Sequence, residues 1–175
     1  MARIPMERRP SPGWKADPVE PSVAQALVMI DELVRCGVSD IVLGVGSRSA
    51  PLALAAAAAE ERGEVRVHVR VDERVAGFLA LGLGKATGVP AAVITTSGTA
   101  AANLLPAIVE AHESRVPVIA ITADRPPRLR GVGANQTIDQ VKVFSSFTRL
   151  DIDMEAAARL IRAVSSAASA MHPSG

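Results

Sequence analysis

From Ser22 onward the apolar and polar positions fall into runs that switch between two periods. Val23, Ala26, Leu27, Ile30, Leu33 and Val34 recur at helical spacing behind Ser22, a good N-cap, and Gly37 supplies the stop after Cys36. Ile41-Val42-Leu43 reads as a short buried strand, and the loop Gly44-Val45-Gly46-Ser47-Arg48-Ser49 follows it. Pro51 and the alanine run to Glu61 predict a second helix, ended at Gly63. Val65, Val67, Val69 and Val71 alternate with Arg66, His68, Arg70 and Asp72, the pattern of a strand with one apolar face. A helix over 72–86 follows, with Asp72 as its N-cap. Ala91-Ala92-Val93-Ile94-Thr95 is a continuous apolar strand, Thr96-Ser97-Gly98-Thr99 a turn, and 100–113 a helix before the strand at Val118-Ile119-Ala120-Ile121-Thr122. Residues 124–140 form a long polar loop, after which 148–152 reads as a strand and 155–170 as a helix.

A repeated order of strand, polar or glycine-rich loop and helix calls for right-handed crossovers. The expected fold is therefore α/β: a doubly wound, mostly parallel sheet with helices on both faces, spanning 22–175. Residues 1–21 carry Pro5, Pro10, Pro12, Pro18 and Pro21 with little apolar periodicity, and read as a mobile proline-rich tail. The rhythm would next call for a strand after about residue 170, so the domain is expected to lack its last one.

Composition narrows the picture. Aromatic residues make up only 2% of the chain, so the core must be aliphatic, and base-stacking nucleic-acid modules lack their platforms. Nineteen basic and eighteen acidic side chains leave a net charge of +1, too little to draw the chain to nucleic acid or anionic lipid. One cysteine, Cys36, excludes an internal disulfide and a cysteine-based zinc cluster. No apolar run is long enough to insert in a membrane, and the polar N-terminus does not read as a secretory signal. The expected setting is the reducing cytoplasm.

In open parallel sheets ligands bind at the carboxyl ends of the strands. Four unusual loops converge there: Gly46 to Ser49, Asp72-Glu73-Arg74, Thr96 to Thr99, and 124–136. Gly44-x-Gly46-x-x-Ser49 admits a dinucleotide reading, though it lacks the third glycine and Asp72 follows too late. The serine- and threonine-bearing loops equally admit a sugar-phosphate isomerase domain. Glu73 sits where a helix dipole favours a carboxylate. Arg125 is restrained by Pro126-Pro127, and Asn135-Gln136 are amides suited to a carboxylate or hydroxyl. His68 reads as a satisfied or exposed histidine on a strand face, and three histidines present no metal cluster.

Five ordered motifs carry a resemblance over about residues 22–175. They are Gly46-Ser47-Arg48-Ser49-Ala50-Pro51-Leu52, His68-Val69-Arg70-Val71-Asp72-Glu73-Arg74, Thr96-Ser97-Gly98-Thr99-Ala100-Ala101-Ala102-Asn103, Thr122-Ala123-Asp124-Arg125-Pro126-Pro127 and Gly133-Ala134-Asn135-Gln136-Thr137. Together the sequence resembles the N-terminal pyrimidine-binding domain of the 2-succinyl-5-enolpyruvyl-6-hydroxy-3-cyclohexene-1-carboxylate synthases, the thiamine-diphosphate transferases of menaquinone biosynthesis.

The resemblance implies a concrete site. Glu73 matches the glutamate that bonds N1′ of the cofactor's aminopyrimidine, favouring the imino form that deprotonates C2. Thr96, Ser97, Gly98 and Thr99 would lie close to that ring. Ser47, also matched to a catalytic role, joins Arg48, Arg125, Asn135 and Gln136 around two substrates, 2-oxoglutarate and isochorismate. Both are dicarboxylates, which suits fixed arginines. The first would be decarboxylated and its carbanion equivalent added to the second. The family binds diphosphate and Mg2+ (or Mn2+) through a separate C-terminal domain and assembles its site between subunits of a homodimer or homotetramer. The 175 residues alone would then hold half a site, with negligible activity and weak cofactor affinity. Val45 stands where the family commonly has proline, so the turn is expected to be less rigid. Two other readings stay open: a free-standing, non-catalytic homologue of the pyrimidine domain, and a different thiamine-diphosphate lyase.

Overall fold

The computed structural model describes residues 20–154; the expected tail up to residue 19 and the expected helix over 155–170 lie outside them. The first helix, α1 (Pro21–Arg35), is capped by Glu20 and not by Ser22, which falls inside its first turn. Pro21 accounts for the shift. Its fixed φ suits the first helical position, where its missing N–H costs nothing. Pro21 therefore belongs to the domain and not to the tail.

β1 (Asp40–Gly44) leads into α2 (Ala50–Glu61), and β2 (Arg66–Arg70) into α3 (Glu73–Thr87). β3 (Ala91–Thr95) leads through α4 (Thr99–Ala102) and α5 (Leu105–Glu113) to β4 (Val118–Thr122). The four strands pair in the order β2-β1-β3-β4, and every pair is parallel. This is a doubly wound α/β sheet, as the strand-loop-helix rhythm requires.

Period-two alternation divides the core between the two faces. Ile41, Ala92 and Ile94 point to one side, where they pack with Ala26 and Ile30 of α1 and Ala55, Ala56 and Ala59 of α2. Val42, Ala91 and Val93 point to the other, against Ala76 and Ala80 of α3, Ile108 of α5, and Leu104. Short alanines let the helices lie close to the sheet, so an aliphatic core suffices. Phe144, from the segment after the long loop, is the buried aromatic on the α3 side.

Three expectations are corrected. The single helix over 100–113 is broken into α4 and α5 at Asn103 and Leu104. Pro106 is the cause, because it cannot donate to the carbonyl of Ala102 and its ring would crowd that oxygen. The valine face of β2 is only half inward: Val65 and Val67 pack in the core, whereas Val69 and Val71 are exposed. The strand expected at 148–152 is not formed; Leu150 and Ile152 are 74% and 63% exposed. That segment is instead drawn toward Arg130, whose Nη1 and Nη2 donate to Asp153 at 2.6 and 2.9 Å.

The amino ends of β1 and β2 are pinned by one carboxylate. Buried Asp40 accepts from Arg66 Nε and Nη2 (3.0 and 2.9 Å) and Ser39 Oγ (2.8 Å), and meets His68 Nε2 at 2.9 Å. These donors, Arg66 foremost, outweigh burial and hold its pKa at about 2. His68 is thus a satisfied histidine on a strand face. Among the described residues no helix is long and apolar enough to cross a membrane.

Candidate functional site

β1 and β3 are neighbours whose following helices leave toward opposite faces of the sheet. A crevice opens between their carboxyl ends, the topological switch point where open α/β sheets bind ligands. The loop after β1 forms one wall. A Cβ on Gly46 would overlap the Thr96 side chain, with Cγ2 at 2.7 Å, so only glycine allows the two loops to approach. Ser49, buried at the start of α2, holds this loop by donating to the Gly46 carbonyl at 3.1 Å. Ser47 and Arg48 are exposed on its rim.

Glu73 enters from the neighbouring edge of the sheet. It is the first residue of α3, and the Asp72 N-cap accepts from Val75 N–H at 2.9 Å, which fixes where the helix begins. Glu73 is half-buried, and its Cγ lies 3.6 Å from where a Gly44 Cβ would stand. Thr95 Cγ2 lies 3.4 Å from the same point. Glu73 and Thr95 thus flank Gly44 on the α3 side of the sheet. Thr95 is fully buried, and its Oγ1 is the one buried side-chain polar atom without a hydrogen-bond partner among the described residues.

The turn after β3 is wholly internal. Thr96, Ser97 and Gly98 are buried, while Thr99 is exposed at the head of α4. Gly98 adopts φ 79° and ψ −137°, a backbone state that favours glycine. Its neighbours come from the long polar loop: Ser97 Oγ donates to the Gln136 carbonyl at 2.9 Å, and Gln136 Nε2 donates to the Ser97 carbonyl at 3.1 Å. A longer 3.4 Å contact joins Gln136 Nε2 to Thr96 Oγ1.

The long loop has an arginine at its heart. Arg125 is only 6% exposed, and its Nε and Nη2 donate to the Asn135 carbonyl at 3.1 and 2.6 Å. Asp124 accepts from the Arg125 backbone N–H at 2.6 Å and pairs with Arg130 at 2.9 Å. Arg130 also donates to the Arg125 carbonyl at 2.9 Å. A short 3-10 turn over Pro127–Leu129 carries the chain between the two arginines.

The structure therefore gathers Glu73, Thr96, Ser97, Gly98, Arg125, Asn135 and Gln136 into one connected set of loops. Ser47, Arg48 and Thr99 stand at its exposed rim. Two residues went unnoticed in the sequence. Thr95 reads as the end of an apolar strand, and its hydroxyl gains meaning only from its burial. Gln140 is 7% exposed and bonds to both the β3 turn and the end of β4. Its position four residues after Gln136, within a polar loop, was the available signal.

Residues 23–143 match the family described as thiamine pyrophosphate enzyme, N-terminal TPP binding domain. The chain is 55% identical over 152 residues to a 2-succinyl-5-enolpyruvyl-6-hydroxy-3-cyclohexene-1-carboxylate synthase of Leifsonia xyli subsp. xyli, an alignment covering 87% of this chain and 25% of that protein. Synthases of the same name from Nocardia farcinica and Mycobacterium sp. strain KMS are each 54% identical, over 78% and 81% of this chain. The chain spans about a quarter of the length of the curated relatives it matches.

Proposed function

The chain belongs to the thiamine pyrophosphate enzymes, through their N-terminal TPP binding domain, and from that premise we propose that it is the pyrimidine-binding part of a 2-succinyl-5-enolpyruvyl-6-hydroxy-3-cyclohexene-1-carboxylate synthase. One observation carries this reading. A half-buried carboxylate, Glu73, sits against Gly44 at the switch point beside an unpartnered buried hydroxyl, Thr95 Oγ1, and the glycine-bearing turn of Thr96, Ser97 and Gly98. An aminopyrimidine ring needs these groups: a carboxylate for its N1′, a spare donor or acceptor, and backbone close enough to lie flat against it.

Thiamine diphosphate, when bound, supplies the centre that stabilises the carbanion left by decarboxylation. The work of this chain is to set its protonation. The Glu73 carboxyl would share a proton with N1′ of the ring, and the partial exclusion of water by Gly44 and Thr95 would strengthen that bond. Thr96, Ser97 and Gly98 would form the wall that keeps the ring in register, with Thr99 at its edge. Arg48 and Ser47 offer an exposed cation and a hydroxyl from the rim. Arg125, held by Asn135, brings a fixed charge beside the Asn135 and Gln136 amides. The substrates that fit this set are dicarboxylates, 2-oxoglutarate and isochorismate.

Among the described residues there is no group of three or more His, Cys, Asp or Glu that could hold a metal ion. The proposal assigns Mg2+ and the diphosphate to the part of the relatives' length that this chain does not span. It places residues 21–175 as one pyrimidine domain in a cytoplasmic homodimer or homotetramer. Alone, the 175 residues should turn over negligibly.

The test is a hybrid in which this chain replaces the matching quarter of the Leifsonia xyli relative. The hybrid should convert 2-oxoglutarate and isochorismate with release of carbon dioxide, and the isolated chain should not. A folded hybrid that decarboxylates pyruvate-type substrates instead would point to a different lyase. A folded hybrid inert toward all of them would point to a non-catalytic module.

A further inference from the structure

Gln140 is buried, and its amide is committed at both ends. Oε1 accepts from the Gly98 N–H at 2.9 Å, while Nε2 donates to Thr122 Oγ1 at 3.0 Å and to the Ala123 carbonyl at 2.8 Å. One side chain thereby ties the turn after β3 to the end of β4. Each of the groups it binds stands next to a residue of the site. Gly98 closes the turn that begins at Thr96. Ala123 lies two positions before Arg125. Gln140 itself ends the loop that carries Asn135 and Gln136.

The backbone around it has few other ties. Ala123 N–H donates to the Thr95 carbonyl at 2.9 Å, extending the β3–β4 ladder by one bond. Beyond that bond, the loop is held to the β3 turn by Gln136, through its exchange with Ser97. Gln136 has φ 58°, outside the comfortable range for a side chain other than glycine or asparagine, so its pose depends on neighbours that hold it. Gln140, four residues on, supplies the second fastening. Two amides four residues apart thus staple the loop to the turn, and of the two Gln140 also reaches β4.

We propose that Gln140 is a positioning residue that makes the Thr96–Gly98 turn and the Arg125–Gln136 loop move as one body. The assignment of those two segments to the pyrimidine and to a dicarboxylate rests on the function proposed above; the mechanical coupling through Gln140 does not. The coupling places Arg125, Asn135 and Gln136 at a fixed offset from the buried turn, so a substrate held by the loop is presented in a constant register to whatever the turn holds.

Two variants test this. Gln140→Met fills the space with no hydrogen bond at any pH. Gln140→Glu keeps an acceptor for Gly98 N–H; when protonated it regains one donor toward Ala123 or Thr122, and when ionised it has none. In the 175-residue chain, amide exchange of Gly98 and the NMR resonances of Asn135 and Gln136 are followed from pH 4.5 to 8. Gln140→Met should lose about tenfold or more of the Gly98 protection and shift Asn135 and Gln136 together at every pH. Gln140→Glu should keep the Gly98 protection at every pH, match the parent's Asn135 and Gln136 resonances in acid, and shift them toward those of the Met variant in base, as the donor to Thr122 and Ala123 is lost. In the active hybrid, the same substitutions should raise the KM for 2-oxoglutarate about tenfold with a smaller change in kcat, and the Glu variant should recover as pH falls.

A purely space-filling glutamine gives a different result. Melting would shift while the Asn135 and Gln136 resonances and the KM stayed as in the parent, with no difference between the Glu and Met variants, and that overturns the proposal. If Gln140→Met does not fold, the acid-to-base comparison of Gln140→Glu decides alone. Coupled resonances in the chain beside an unmodified hybrid inert toward both substrates would sink the proposed function and leave the coupling standing.

Discussion

Gly46 packs directly against Thr96: the hydrogen of one stands where any side chain would meet the methyl and hydroxyl of the other. The contact joins the loops after β1 and β3, the two strands between which the winding of the sheet reverses. It sets the width of the crevice more directly than any hydrogen bond there, because it is a steric limit that no rotamer relieves.

A Gly46→Ala substitution should therefore be felt at once. Overpacking of this kind costs about 1–3 kcal/mol, and here the relief must come from moving the Thr96 turn or the Ser47-Arg48 rim. Thermal melting of the chain should fall by several degrees. Cofactor affinity in the hybrid should fall further than the stability loss alone accounts for. Wild-type melting and affinity in this variant would mean that the loops are freer than the contact implies.

Glu73→Gln is the test of chemistry without collapse. The amide keeps the shape of the carboxyl and loses only a helix-dipole term of about 0.3–1 kcal/mol, so melting should barely change. Activity of the hybrid should drop by roughly 10²- to 10⁴-fold, the range of a lost acid–base group. An unchanged rate would remove Glu73 from the mechanism.

The sequence made much of this legible, and its failures share a cause. Strands and helices with long, uniform periodicity, such as β3 and α3, are found where the pattern puts them, and Asp72 caps α3 as expected. The break at Asn103 and Leu104 was written in Pro106 but hidden by the alanine run on either side. The lost strand at 148–152 and the exposed ends of β2 depend on what packs against them, and no local pattern carries that information. Within the site, the loops were readable because Gly, Ser and Arg cluster at strand ends. The burial of Arg125 and its tie to a backbone carbonyl were not, since Pro126-Pro127 mark it as restrained but carry no information on what packs over it. The burial of Gln140 was hidden in the same way, its place four residues after Gln136 being the one signal.

Asp40 sets an acid limit on the fold. Its pKa is held near 2 in the folded chain against an ordinary 3.8. A depressed carboxylate pKa contributes stability that is fully present above the unfolded value and is lost as pH falls through the folded one. The window is thus about pH 4 down to about pH 2, and the contribution is on the order of 2 kcal/mol. Equilibrium unfolding across that range should show the parent losing stability more steeply than Asp40→Asn, which lacks the titrating group. Because Asp40 lies at the far end of β1 from the crevice, Asp40→Asn should leave the pH profile of the hybrid's turnover between pH 6 and 8 unaltered.

Thr95→Val separates folding from function at a single atom. The substitution keeps the shape of Thr95 and removes the hydroxyl that has no partner in its buried site. An unsatisfied buried polar group costs about 1–3 kcal/mol, so the valine chain should melt higher than the parent, a rare direction for a core change. If that hydroxyl is kept for the aminopyrimidine, the same substitution should weaken thiamine diphosphate binding to the hybrid by about tenfold, the worth of one hydrogen bond. The two signs must appear together. A valine variant that melts lower shows that Thr95 Oγ1 is already satisfied within the protein. One that melts higher and binds as tightly shows that its strain serves something other than the cofactor ring.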